Sequence, residues 1–200
     1  MPEAILDQPL SDRYADALTC ACRWHRTQAR KGTQIPYVAH LLSVSALTLE
    51  HGGDETTAIA GLLHDAVEDG GGAARLQEIR ARFGDQVADI VWACSDTDAQ
   101  PKPPWRQRKV DYIERISHEP AAARLVSACD KLHNARTLLA DHRQIGEALW
   151  NRFSGKRDGT LWYYRALVEA FAKHGRSPLV EELDRVVTAL EQASAAGRSS

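Results

Sequence analysis

The chain lacks the features that mark a special environment. Its apolar runs are a few residues long, far short of the roughly 20 that span a bilayer. It has no excess of either charge: 25 Lys and Arg face 27 Asp and Glu, a formal net charge of −2. Nothing in that balance points to nucleic acid or an anionic membrane as partner. It has only four cysteines, Cys20, Cys22, Cys94 and Cys129, and no CxxC pair. That spacing excludes a disulfide framework and a cysteine zinc site. The four read as small buried hydrophobes in a reducing cytosol. The start, Met1 to Asp7, has no basic segment leading into an apolar one. No secretory leader is expected, and the cytoplasm is the expected compartment. A repeat of fixed period and a period-two alternation are also absent.

What remains is an ordinary globular composition: 200 residues, 44% hydrophobic and 26% charged. One domain over residues 1–200 is expected, with a core at about 12–193 and a frayed tail at 195–200. The apolar spacing is helical throughout, which predicts an all-α helical bundle of about eight to ten helices. The first runs from Asp12 to about Arg30. Pro36 opens a second that ends at Gly52-Gly53. Asp54 caps a third that runs through Val67 to Gly70-Gly71-Gly72. Leu76, Ile79 and Phe83 mark a fourth and Val87, Ile90 and Val91 a fifth, capped by Asp85. A polar loop, Asp96 to Pro104, precedes helices over Trp105–Ser117 and Ala121–Ala140. Arg152 to Gly159 reads as a basic loop, and helices over Leu161–Lys173 and Pro178–Ala193 complete the chain.

The chemistry concentrates in the third helix. His64-Asp65 and Glu68-Asp69 fall four residues apart, so they stack on one face. Three carboxylates at a helix C-terminus oppose its dipole, which favours cations there. A divalent ion would offset them, and a mixed nitrogen and oxygen ligand set suits manganese, iron or zinc. His40 lies near the start of the second helix. Asp130 lies in the apolar run Leu125 to Cys129, where a carboxylate needs a cation or several hydrogen bonds.

The order His40, His64-Asp65, Asp130 resembles the HD superfamily of all-α metal-dependent phosphohydrolases. The detail resembles one branch, the hydrolase domain of RelA/SpoT-type proteins. The residues that carry this are His25 to Gly32 with Pro36-Tyr37-Val38-Ala39-His40, then Leu62 to Asp69, Phe83 to Ala88, and Cys129 to Thr137. The match spans roughly Tyr14 to Phe171. A chain of this length is similar to the stand-alone small alarmone hydrolases, including the animal SpoT homologue.

The resemblance implies Mn²⁺-dependent removal of the 3′-pyrophosphate from (p)ppGpp, giving GDP or GTP. It implies one ion held by His40, His64, Asp65 and Asp130, with Glu68 and Asp69 activating or orienting the water. It places Arg30 on the purine, with Lys31, Asn134 and Thr137 toward the nucleotide. Lys156 and Arg157 are candidates for the pyrophosphate. His25 and His133 are read as supporting groups, and His51, His118, His142 and His174 as surface residues. The implied partner is a small nucleotide, with no nucleic acid and no membrane, and a homo-oligomer is possible.

Three positions depart from the pattern. The stretch from Arg30 to His40 is one residue longer, Thr27 replaces a glycine, and Ser127-Ala128-Cys129 precedes the aspartate. The altered loop leads us to expect adenosine alarmones, (p)ppApp, as substrates beside the guanosine ones. Two other functions fit the motifs less fully: an HD phosphohydrolase of another nucleotide, and a catalytically silent nucleotide-binding regulatory module.

Overall fold

In a computed structural model of the chain, residues 9–95 and 101–196 are described. The first five residues of the expected Asp96–Pro104 loop, the Met1–Asp7 start and most of the expected frayed tail lie outside them. Nine α-helices and one short 3₁₀ helix make up the described fold, and its only β-type pairing is one isolated bridge. The architecture is the all-α bundle expected from periodicity. None of these helices is long and apolar enough to cross a membrane.

Helix α1, Asp12–Trp24, starts where Ser11 accepts from the Arg13 amide. It ends six residues before the expected Arg30. The chain turns at His25 and then folds back on itself, pairing Ala29 with Pro36. The Arg30 amide donates to the Ile35 carbonyl at 2.8 Å and that of Tyr37 to Gln28 at 2.9 Å. This tight loop presents Arg30 and Lys31. Helix α2, Val38–Glu50, follows it. Asp54 caps α3, Glu55–Leu63, by accepting from the Thr57 amide at 2.8 Å. Helix α3 is nearly all buried, and Gly61 lets it approach α2. A Cβ on Gly61 would stand 3.2 Å from Ser45 Cα.

Helix α3 stops at Leu63, one turn earlier than its apolar pattern predicts. His64 Nδ1 donates to the Gly61 carbonyl at 2.9 Å, and the Ala66 amide reaches back only to Leu63. The residues from His64 to Asp69 therefore lie in a series of tight turns rather than on a helix face. Helices α4, Gly72–Phe83, and α5, Asp85–Cys94, are separated by Gly84 at φ 87°.

Helix α6, Trp105–Ile116, leads to α7, Ala121–Ile145, the longest of the set. Pro120 and Gly146 bound α7, and it is buried on most sides against α2, α3, α5, α8 and α9. Hence its apolar residues show no single stripe. The 3₁₀ helix covers Gly146–Arg152. Helix α8, Lys156–Ala172, begins inside the expected Arg152–Gly159 loop. Gly155 and Gly159, four apart, form a smooth groove for the Trp105 indole. A Cβ at either would meet that ring at 2.5 and 3.1 Å. Packing thus sustains the helix through Gly159, which argues against one. Helix α9, Pro178–Ala196, packs on α7 and α8.

Two expected burials come out differently. Cys22 is exposed, whereas Cys20 and Cys129 are buried, and all four thiols are free. His142 is buried rather than on the surface. It packs on the Trp150 ring, with Glu147 Oε1 3.2 Å from its Nε2.

Candidate metal centre and active-site cavity

Three segments meet at one point: α2 brings His40, the turn after α3 brings His64 and Asp65, and α7 brings Asp130. Asp65 Oδ2 lies 3.5 Å from His40 Nε2 and 3.0 Å from His64 Nε2. Asp130 Oδ1 lies 3.2 and 3.7 Å from the same two nitrogens. His40, His64 and Asp130 are 1, 2 and 6% exposed. The ligand atoms of His40, His64 and Asp65 all lie within 4.8 Å of one another.

The proton positions suit a metal. His64 Nδ1 faces the Gly61 carbonyl, so it carries the hydrogen and leaves a lone pair on Nε2. His40 Nδ1 lies 2.8 Å from His133 Nδ1. Burial, with the nearby His40 and Arg30, pushes His133 down to about 4, so it is neutral, and one of the two Nδ1 atoms donates to the other. With His40 as the donor, its lone pair also sits on Nε2. Both Nε2 atoms are buried without a hydrogen-bond partner. Two orphan imidazole nitrogens aimed at two carboxylates are the donor set of a divalent cation.

The electrostatics agree. Burial opposes charge on Asp65, yet His64 and His40 hold it well below the usual carboxylate range. Asp130 is held low in the same way, by Lys131 first and then by both histidines. His64 is raised well above its usual value, because Asp65 and Asp130 outweigh the cost of burial. The centre demands positive charge, from an imidazole proton or from an ion in its place.

Neighbours fix the carboxylates. The Tyr37 hydroxyl donates to Asp65 Oδ2 at 2.6 Å. Lys131 Nζ donates to Asp130 Oδ2 at 2.6 Å, and Asn134 Nδ2 donates to Asp130 Oδ1. Arg30 Nη2 donates to Asn134 Oδ1 at 2.5 Å, which links the loop to the metal centre. A lysine beside an aspartate within a buried apolar run was the sequence signal for Lys131.

The centre lies in the wall of a cavity of about 550 Å³. Of the residues singled out from sequence, Arg30, Lys31, His40, Asp65, Glu68, Asp130, Asn134 and Thr137 line it. Glu68 also has Lys102 Nζ 3.4 Å from its Oε1. Asp69 is not in the lining. It accepts from Gln28 Nε2 at 2.7 Å, and Gln28 Oε1 in turn accepts from His25 Nδ1 at 2.6 Å. Lys156 is exposed and outside the lining, and Arg157 is engaged by Ser194, Asp158 and Glu147. The cavity brings in groups that spacing did not reveal: Trp105, Arg108 and Lys109 from α6, Asp141 from α7, Phe153, and Tyr163 from α8. Their only sequence signal was an amphipathic face of charged and aromatic residues.

The sequence pattern of the HD domain matches residues 17–161. The chain belongs to the HD-domain family. This HD domain is 36% identical over 126 residues to the guanosine-3′,5′-bis(diphosphate) 3′-pyrophosphohydrolase MESH1 of Xenopus tropicalis, covering 62% of this chain and 68% of that one. The Homo sapiens MESH1 matches with the same identity and coverage. A solved structure of a metazoan SpoT orthologue, described as hydrolysing ppGpp, superposes with a TM-score of 0.75 at 26% identity. That alignment covers 92% of this chain and 97% of the other.

Proposed function

We propose that this HD domain is a Mn²⁺-dependent 3′-pyrophosphohydrolase of purine alarmones. It would convert (p)ppGpp, and also (p)ppApp, with water to GDP or GTP, or ADP or ATP, plus pyrophosphate. The observation that carries this is the make-up of one cavity. His40, Asp65 and Asp130 in its wall converge with the orphan nitrogen of His64 just behind them, and cations and flat rings are prominent in the rest of the lining. A volume of about 550 Å³ falls in the range of small-ligand sites. The MESH1 relatives named above support the choice of a 3′-pyrophosphate as the target.

A bound divalent ion supplies a Lewis acid for a phosphoryl oxygen and an acidified water. His40, His64, Asp65 and Asp130 would hold it. Glu68, facing the cavity, orients the attacking water and accepts its proton. Asp69 holds the turn that carries Glu68, through Gln28 and His25. Water attacks the phosphorus on the ribose 3′-oxygen. The bond between them breaks, and the 3′-oxygen gains a proton as pyrophosphate leaves. Lys31, Arg108 and Lys109 are placed to neutralise phosphate oxygens, and Arg30 offers a flat guanidinium to the purine. Asn134 and Thr137 complete the nucleotide wall on α7. We assign the reaction to the cytoplasm, on a free nucleotide, within a single domain of core about 12–193.

The test is incubation with ppGpp and pppApp, with Mn²⁺ or with a chelator, followed by product identification. Pyrophosphate formed only with Mn²⁺ is the expected result. Orthophosphate release, or turnover confined to other nucleotides, would replace the reading with another HD phosphohydrolase. Binding without turnover would make the chain a regulatory module.

A further inference from the structure

We infer that Asp141 reads the Watson–Crick edge of the substrate's purine and makes guanine the preferred base. This rests on the nucleotide reading above and extends it to the base.

Helix α7 acts as a ruler along the cavity. Asp130, Asn134, Thr137, Leu138 and Asp141 all line it, at spacings that share a helix face. From Asp130 to Asp141 is 11 residues, or about 16 Å of helix axis. The near end holds the metal ligands, where the scissile phosphate must sit. The far end is therefore where the rest of a bound nucleotide extends.

The far end is built for a flat ring. Leu138 and Ile35 give apolar walls and Phe153 a planar one, and Arg30, held at Asn134, stands between this end and the metal ligands. Lys31 Nζ sits 5.6 Å from the Phe153 centroid. An acid in a cavity meant for a polyanion is unfavourable unless it meets donors. Asp141 is the acid at this end; it meets one donor, Arg152, and 22% of its side chain stays exposed.

Asp141 is also held in place. Its Oδ2 accepts from Arg152 Nη1 at 2.9 Å, its one hydrogen-bond partner among the described residues. The Arg152 stem lies against Gly32, where a Cβ would come within 2.7 Å of Arg152 Cδ. Gly32 has φ 74°, so glycine there serves both the turn and the close approach. Arg152 thus ties Asp141 to the loop that carries Arg30 and Lys31.

An ionised carboxylate only accepts. Guanine offers it two adjacent donors, N1–H and the N2 amino group. Adenine offers one donor, the N6 amino group, beside the N1 lone pair, which would face the second oxygen. A two-point contact of this kind discriminates by roughly 10- to 100-fold. Adenosine alarmones remain substrates, at lower efficiency.

The experiment compares kcat/KM for pppGpp and pppApp, and Kd for GDP and ADP, in the wild type and Asp141→Asn. Asparagine keeps the size and an acceptor for Arg152 but turns one acceptor into a donor, which suits adenine N1 and N6. The wild type should favour guanine by 10-fold or more in both measurements. In Asp141→Asn both ratios should fall by about 10-fold, with Mn²⁺ content and melting temperature unchanged. Unchanged ratios, or an equal loss for both bases, would overturn the inference and leave Asp141 as a brace for Arg152. If the wild type releases no pyrophosphate, the proposed function fails, and the GDP to ADP ratios still decide the role of Asp141. Turnover with unaltered ratios removes Asp141 alone.

Discussion

Asp65 accepts from Tyr37 on the oxygen that also faces both imidazoles. One carboxylate thus joins the metal centre to the loop side of the cavity. Asp65→Ala should reduce bound Mn²⁺ to background, measured by elemental analysis, while circular dichroism keeps its helical form. A metal-replete variant with full activity would contradict the ligand assignment. Glu68 lines the cavity and is not one of the clustered ligand groups His40, His64 and Asp65, so its loss should separate chemistry from metal binding. Glu68→Gln should lower kcat by about 10²-fold or more, with Mn²⁺ content retained. Loss of the ion instead would make Glu68 a ligand. Arg30 is placed by Asn134, and its guanidinium lies 5.6 Å from the Tyr37 centroid. Arg30→Lys keeps the charge and loses the plane, so KM for both alarmones should rise while metal content holds. Unchanged kinetics would leave Arg30 a role through charge alone.

At the scale of elements, α3 matters because its end sets where His64 and Asp65 point. Its start depends on Asp54, which accepts from both the amide and the hydroxyl of Thr57. Those bonds hold the Asp54 carboxyl below its ordinary value. Its contribution is therefore complete above the unfolded value, near 3.9, and is lost as pH falls through the lower folded one. Asp54→Ala should cost about 1 kcal/mol at pH 7. The gap to wild type, read from urea unfolding, should shrink as pH falls below the unfolded value, whereas a gap independent of pH would mean that the carboxylate is not the cap. Helix α9 offers a contrast. Leu190 is fully buried yet lies outside the cavity lining. Its position in the core makes α9 a packing element for α7 rather than part of the site.

At the scale of the molecule, the metal centre closes a loop among α2, the turn after α3, and α7. An ion that binds only the folded state stabilises it by mass action, by about 2.7 kcal/mol at 100 times its dissociation constant. For a domain of this size that is a rise of roughly 5–10 °C in Tm. Thermal melts of the wild type should show this rise with Mn²⁺ and lose it with a chelator. Asp65→Ala should melt at the same temperature in both. A wild type indifferent to Mn²⁺ would mean that no ion bridges the three segments.

The local code of the chain was enough for the class of fold, because helical periodicity, Asp54 and the glycine stops are short-range signals. It was enough for the order of His40, His64-Asp65 and Asp130, which together suggested an ion. It placed Glu68 and Asp69 on one helix face with the ligands, and there the tertiary structure decided otherwise. Helix α3 ends at Leu63, so Glu68 faces the cavity while Asp69 turns to Gln28. It placed Lys156 in a basic loop, yet the residue opens α8 and lies outside the cavity, because the Trp105 ring packs into the groove of Gly155 and Gly159. The bond from Tyr37 to Asp65 and the place of Asp141 in the cavity became visible only when segments far apart in the chain came together. A helix start is decided by a few neighbouring residues. The direction in which a carboxylate points is decided by whatever packs beside it, and that depends on the whole fold.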